Sequence, residues 1–475
     1  MSTIHLTLPR LGFALLLVLS LISAQAADKK PNVIFLFADD MRADSIGALG
    51  NPTVKTPNLD MLVKRGFTLN NAYCLGGNRG AVCLPSRNML LSGNTYFRWQ
   101  DLQATGAGQK GNFAPATADT FPAVMNAAGY TTYHQGKKGN SATLIQAQFE
   151  INKYVTNDLT DRTNGEAGQQ IVDEAIEFIT AQKSEKPFFM YLGFSNPHDP
   201  RVAAEKYLKL YEREKIPLPK NYLPVHPFNN GEMIVRDETL SPWPRTEDEI
   251  RKTLHEYYAV ISGMDYHIGR LLKKLEELKL TENTIVIFSA DQGISVGSHG
   301  LLGKQNLYDH GMKVPLFVAG PGVKKGKSDA MVYLLDIFPS VCELAGVKVP
   351  AGLDGKSFAP VIQGKADKSR ETLFLAYRDV QRAIRDERWK LIRYPQVDVT
   401  QLFDLKNDPD ELKNLAGEAA QKERVRNMLA QMADWQKKLN DAAPLTVDNP
   451  ASPKWAPPSA EEFKANETKK KKNKQ

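Results

Sequence analysis

The sequence predicts an α/β fold: a large, mainly parallel sheet sandwiched by helices, followed by a smaller C-terminal α+β subdomain built on an antiparallel sheet. Three observations carry this. Short continuous apolar runs alternate with helical segments from Val33 to about Leu344, the rhythm of βαβ units. Several runs stop abruptly at acidic or amide residues, and the carboxyl ends of parallel strands are where such sheets bind ligands. Beyond about Gly355 the pattern changes to closely spaced short strands.

The elements follow in order. Residues 1–26 read as an export signal: Arg10, an apolar run from Leu11 to Ile22, then Ser23-Ala24-Gln25-Ala26-Ala27, with cleavage expected after Ala26. The run is shorter than the roughly 20 apolar residues of a membrane span, and no cysteine follows it to accept a lipid. A periplasmic or secreted protein without a stable membrane anchor is expected. Val33 to Phe37 form the first buried strand, ending in Asp39-Asp40. A helix starts near Leu59, with Thr56-Pro57 before it and Gly66 after it. A helix–strand unit runs from Phe121 through Gly129 to Tyr133. Ile171, Val172, Ala175, Ile176 and Ile179 mark a helix, and the strand from Pro187 to Phe194 ends in Ser195-Asn196-Pro197-His198. Thr246 and Glu249 read as a capping box opening a long helix to about Leu280. The strand Thr284 to Ser289 then leads into Asp291-Gln292-Gly293. The strand Val314 to Ala319 and the helix Leu335 to Leu344 complete the main domain, 27–355. The subdomain, 356–445, takes strands at Leu373 to Tyr377, Ala383 to Arg385, Trp389 to Tyr394 and Leu402-Phe403-Asp404, with a last helix from Ala419 to Leu439. Residues 446–475 form a polar, basic tail.

Hydrophobic residues at 42% and charged residues at 24% are those of a globular protein. The net charge of +7 owes much to Lys469 to Lys472 and Lys474 in the tail, and nothing else resembles a nucleic-acid module. Three cysteines, Cys74, Cys83 and Cys342, are too few for a disulfide framework and leave at least one thiol unpaired. Cys74 and Cys342 read as small buried residues.

The chemistry concentrates at strand ends. Asp39, Asp40, Asp291 and Gln292 offer hard oxygen donors without a His or Cys companion, a set that suits calcium over magnesium. Cys83-Leu84-Pro85-Ser86-Arg87, just before the helix-like Asn88 to Gly93, resembles the CxPSR maturation signature of the sulfatase family, within the alkaline phosphatase superfamily. Other segments fit the family in its order: Asp39-Asp40, Lys55 to Asp60, Asn196-Pro197-His198-Asp199-Pro200, Asp291-Gln292-Gly293 and Gly303 to His310. The likeness is to bacterial polysaccharide and glycosaminoglycan sulfatases.

The resemblance implies that a maturation enzyme converts Cys83 to formylglycine, whose hydrate attacks sulfur with one hydroxyl and expels sulfate with the other. It implies one calcium ion, held by Asp39, Asp40, Asp291, Gln292 and the converted Cys83. Arg87 would hold the hydrate, Lys137 and Lys304 would clamp the sulfate oxygens, and His198 would protonate the departing oxygen. The implied substrate is a sulfated carbohydrate. One departure stands out: two places after Lys137 the family pattern has a histidine, and this chain has Gly139. His134 is the candidate substitute, with His310 and Asn140 as others. Two alternatives remain open, a phosphoester or phosphonate hydrolase of the same superfamily and a non-catalytic binder of sulfated glycans. Loops 75–80, 100–115 and 201–242 are expected to line the sugar site, with Arg79, Arg98, Arg201 and Trp243 as candidate contacts.

Overall fold

The computed structural model describes Ser2 and residues 29–101, 113–115, 117–139, 141–182, 185–459 and 461–463. The export signal, Asn140, most of loop 100–115 and the lysines of the basic tail therefore lie outside the described residues.

Asn32–Ala38 is buried along its whole length, as a strand covered on both faces must be. It is the centre of a nine-stranded mixed sheet. Edge to edge the order is Lys313–Val314, Phe67–Tyr73, Leu316–Ala319, Thr284–Ala290, Asn32–Ala38, Phe188–Gly193, Thr131–Gly136 and Ile151–Tyr154, with Gly326–Tyr333 also paired to Phe67–Tyr73. The strands from Thr284–Ala290 to Ile151–Tyr154 are parallel; Leu316–Ala319 and Lys313–Val314 run antiparallel to their partners. Helices cover both faces. Phe188 meets Phe178 of the helix Gln169–Ala181, while its neighbour Phe189 points the other way to Phe121 of the helix Phe121–Ala127.

Most expected elements appear with shifts of a residue or two. The expected strand Val314 to Ala319 is divided at Pro315, which has no N–H for a ladder. The capping box is present: Glu249 N donates to Thr246 Oγ1 at 3.2 Å and Thr246 N to Glu249 Oε2 at 3.0 Å, opening the helix Glu247–Glu277. The helix expected from Asn88 starts earlier, at Cys83, and runs to Ser92. Pro85 is accommodated because it sits in the first turn, where N–H groups have no intrahelical acceptor.

The second sheet has five strands, in the order Val399–Asp404, Trp389–Tyr394, Gln381–Arg385, Leu373–Tyr377 and Gly76–Gly77. The last comes from the main domain, just upstream of Cys83. A Cβ on Gly76 would lie 2.0 Å from Ala376 O, and its φ is +109°, so only glycine lets the two backbones approach this closely. A polar, buried seam joins the two sheets: Tyr308 Oη donates to Gln401 Oε1 at 2.9 Å, and Lys390, without exposed surface, pairs with Asp309 at 2.7 Å and Glu411 at 2.8 Å. The buried apolar residues form one cluster across both sheets. Among the described residues, no helix is long and apolar enough to cross a membrane.

Candidate active site

The register of the central strands assembles the site. Ala38 pairs with Ala290 in a parallel ladder, so the residues that follow, Asp39-Asp40 and Asp291-Gln292, emerge side by side. The ladder continues past the strand ends, with Asp291 N donating to Ala38 O at 3.2 Å and Asp39 N to Asn196 O at 3.0 Å. Asp40 turns the chain with φ +66°, a left-handed conformation that Asp tolerates better than most residues. Its backbone N–H donates to Asp291 Oδ1 at 3.1 Å.

Cys83 stands at the start of its helix, facing this cluster. Its Sγ lies 3.3 Å from Asp39 Oδ1, 3.0 Å from Gln292 Nε2 and 2.9 Å from Lys304 Nζ. Lys304 Nζ is also 2.7 Å from Asp40 Oδ1. Ligand atoms of Asp39, Asp40, Cys83 and Asp291 all lie within 4.8 Å of one another. Two buried oxygens there, Asp40 Oδ2 and Gln292 Oε1, have no hydrogen-bond partner. Hard oxygens left without donors in a buried cage fit a divalent cation of the calcium or magnesium kind.

The electrostatics agree. Burial would raise the pKa of Asp39, yet the charges of His198, Arg87, Lys137 and Lys304 hold it far below the usual carboxylate range. Asp291 goes the other way, pushed up to about 7 by burial and by its neighbour Asp39. A bound dication would relieve that repulsion. Burial, with Asp39 beside it, pushes the Cys83 thiol well up. Burial disfavours the charge on Lys304, but Asp40 and Asp237 keep its ammonium well above the ordinary value.

Arg87 is fully buried, with Nε 2.9 Å from Asp291 Oδ2 and Nη2 3.5 Å from Asp39 Oδ2, its guanidinium over the Phe37 ring. It fixes the two carboxylates. His198 Nε2 is 3.7 Å from Asp40 Oδ2, and the ring groups with Asp39 and Cys83. Lys137, at the end of Thr131–Gly136, points to Asp158, with Nζ 3.7 Å from Oδ2. Gly139 has φ +77° and open space where a Cβ would be. The structure thus gathers Asp39, Asp40, Cys83, Arg87, His198, Asp291, Gln292 and Lys304, with Lys137 at their edge.

His134 lies apart from this group. Its Nδ1 meets Asn152 Oδ1 at 2.8 Å and its ring stacks on Tyr191. His310 is buried in a stack with Tyr308 and His299. Burial lowers the His134 pKa to about 4 from an ordinary 6.5. A histidine lowered in the folded state stabilises fully above pH 6.5, and that stability is lost as pH falls toward 4. His134→Phe should therefore cost stability at pH 7, through Asn152, but recover roughly 3 kcal/mol relative to wild type by pH 4. Urea unfolding of both proteins at the two pH values tests this; a difference independent of pH would refute the buried neutral imidazole.

Several supports carried no signal in the sequence. Glu238 takes the backbone N–H of Gly303 at 2.7 Å and that of Leu302 at 3.0 Å, and pairs with Arg245 at 2.8 Å, propping the loop that presents Lys304. Ser86 Oγ donates to Asp291 O at 2.6 Å. Of the expected sugar contacts, Arg98 pairs with Asp354 at 3.1 Å, and Trp243 is buried against Arg245 and Trp455. Arg201 lies over the Tyr257 ring, Nε donating to Pro197 O at 2.9 Å.

Comparisons with known proteins bear on this arrangement. A family model described as N-sulphoglucosamine sulphohydrolase, C-terminal, matches residues 297–438. An N-acetylglucosamine-6-O-sulfatase of Bacteroides thetaiotaomicron is 25% identical, over 88% of this chain and 88% of its own. An ulvan-active sulfatase of Formosa agariphila is 28% identical, over 83% and 79%. Among solved structures, BT4656 in complex with its substrate D-glucosamine-2-N,6-O-disulfate is similar with TM-score 0.71 at 22% identity, over 88% of this chain and 99% of that one. A phosphonate monoester hydrolase of Agrobacterium radiobacter also has TM-score 0.71, at 20% identity over 90% and 100%, so the fold alone does not choose the ester. The family model named Sulfatase does, matching residues 31–347 and so spanning every residue of the cage: the chain belongs to the sulfatase family and is a sulfuric ester hydrolase.

Proposed function

We propose that this sulfatase is an exported enzyme that removes sulfate from a sulfated carbohydrate, with Cys83 converted to formylglycine by a maturation enzyme and one calcium ion in the Asp39, Asp40, Asp291 and Gln292 cage. The observation that carries the reading is the buried oxygen cage closed around Cys83, with Asp40 Oδ2 and Gln292 Oε1 unpartnered. Cys83 Sγ, within 3.3 Å of Asp39, Gln292 and Lys304, marks where the side chain of a formylglycine would stand beside the calcium ion. The two groups together would supply an oxygen nucleophile at position 83 and a fixed positive charge beside it.

The chain's own residues do the rest. Lys304, held by Asp40 and 2.9 Å from Cys83 Sγ, places an ammonium where sulfate oxygens gather charge, and Lys137 adds a second from the edge of the group beside Asp158. Arg87 keeps Asp39 and Asp291 pointed into the cage. His198, its Nε2 facing Asp40 and grouped with Asp39 and Cys83, supplies the proton that the departing alcohol takes. Arg236, Arg162 and Arg201 all bond to the segment Pro197 to Asp199 that carries His198, and so bring positive charge next to it. The named substrates of the relatives support a carbohydrate.

The test has two parts. Peptide mass spectrometry of active, exported protein should find the thiol-to-aldehyde mass change at Cys83; unmodified thiol in protein that still releases sulfate overturns the mechanism. Sulfated glucosamines, 4-nitrophenyl sulfate and phenyl phosphonate should then be compared by kcat/KM. Faster phosphonate than sulfate turnover would count against the substrate assignment.

A further inference from the structure

The short helix Asp158–Thr163 lies between two groups that face the site. Asn157 caps it, Oδ1 accepting from Thr160 N at 3.1 Å. Asp158 and Arg162, one turn apart, form an ion pair with Nη2 to Oδ2 at 2.7 Å. The same Oδ2 is 3.7 Å from Lys137 Nζ. On the other prong, Arg162 Nη1 donates to the Asp199 carbonyl oxygen and lies 3.1 Å from His198 Nδ1. His198 Nδ1 is 2.6 Å from that carbonyl oxygen. A nitrogen and a carbonyl oxygen this close need a hydrogen between them, so Nδ1 carries a proton. Arg162 and His198 are then two donors converging on one oxygen, and Nε2 is left facing Asp40 and Cys83. The Asp199 carboxylate is held separately by Arg236, with Nη1 2.6 Å from Oδ1.

We propose that Arg162 is the positioning residue of this active site: its planar fork sets His198 through the Asp199 carbonyl and Lys137 through Asp158. The proposal rests on the reading above that His198 protonates the departing oxygen. In that step the oxygen nucleophile at position 83 bonds to sulfur as the S–O bond to the alcohol breaks, with the electron pair of that bond left on the alcohol oxygen. That oxygen takes the proton from Nε2, and the imidazolium becomes neutral imidazole, still donating from Nδ1 to Asp199 O. A planar guanidinium reaches Asp158 with one nitrogen and the carbonyl with another at a fixed spacing and angle, which the rotating point charge of an ammonium does not set. It also answers the absence at Gly139: with only open space there, Lys137 is braced from the helix Asp158–Thr163 instead.

A positioned acid is worth roughly 100-fold or more only when the leaving oxygen is basic enough to need the proton. Matured wild type, Arg162→Ala and His198→Ala should therefore be compared on aryl sulfates from 4-nitrophenyl to 4-methoxyphenyl sulfate. The dependence of kcat/KM on leaving-group basicity should be shallow in wild type and steep in both variants. Arg162→Ala should lose severalfold on 4-nitrophenyl sulfate, through Lys137, and about a further 10- to 100-fold on 4-methoxyphenyl sulfate, through His198. A uniform loss across the series, or a wild-type slope in Arg162→Ala beside a steep one in His198→Ala, overturns the proposal and leaves the role of His198 standing. A wild-type slope in His198→Ala overturns that role and the proposal with it. A readout independent of turnover is the 15N spectrum of His198 in Cys83→Ala protein: the Nδ1 proton should be protected from exchange and lose that protection when Arg162→Ala is added. Equal protection in both overturns the proposal.

Discussion

Cys83→Ala should reduce sulfate release by roughly five to six orders of magnitude, the loss typical when a covalent nucleophile is removed from a preorganised site. The same variant should keep its fold. Cys83 is 5% exposed at the first position of its helix, and alanine fits that position without losing a backbone hydrogen bond. The cost should be about 1 kcal/mol, from the contacts Sγ makes with Lys304 and Gln292. Circular dichroism and urea unfolding measure the fold, and ion chromatography measures the sulfate. Activity within tenfold of wild type would remove Cys83 from the mechanism. Saturable binding of a sulfated polymer without hydrolysis, in wild-type protein carrying formylglycine, would favour a glycan-binding role instead.

The second large effect should come from Asp291→Asn. In a chelator two opposed effects set the gap between the proteins: losing the charge ends the repulsion between Asp291 and Asp39, but an amide cannot accept from both Arg87 Nε and the backbone N–H groups of Asp40 and Gln292 as the carboxylate does. With calcium in large excess the gap should move further in favour of wild type. Wild type gains about 4 kcal/mol at a thousandfold excess over Kd, and the variant, one charged ligand short, gains much less. Differential scanning calorimetry with and without calcium reads this change in the gap directly. Turnover should fall by at least about 100-fold, since even groups that only orient metal ligands are commonly worth 10- to 100-fold. Equal stabilisation of both proteins by calcium would mean that the ion sits elsewhere.

Much of the site was legible in the primary structure because its residues belong to local patterns. An apolar run that stops at Asp39-Asp40, and another that stops at Asp291, announce buried strands with polar ends. Cys83, Pro85 and Arg87 mark their segment through its resemblance to the family's maturation signature. The capping box at Thr246 and Glu249 is likewise a three-residue relation that survives any tertiary context. The strands Phe67–Tyr73 and Gly326–Tyr333 were not legible in this way. Asn70-Asn71 and Lys327-Ser328-Asp329 interrupt their apolar character, and each becomes a strand by pairing with the other across more than 200 residues of chain.

The sequence by itself determined the periodicities, the strand ends and the residue types of the cage, since these follow from side-chain chemistry and near-neighbour spacing. Tertiary structure alone decided which ends meet. It placed Asp39 beside Asp291 through the Ala38–Ala290 register, and it drew Gly76–Gly77 into the C-terminal sheet. It also put Arg162 between Lys137 and His198. Hydrogen-bond register and the packing of distant segments are set by the free energy of the whole fold, and no stretch of sequence carries that information locally.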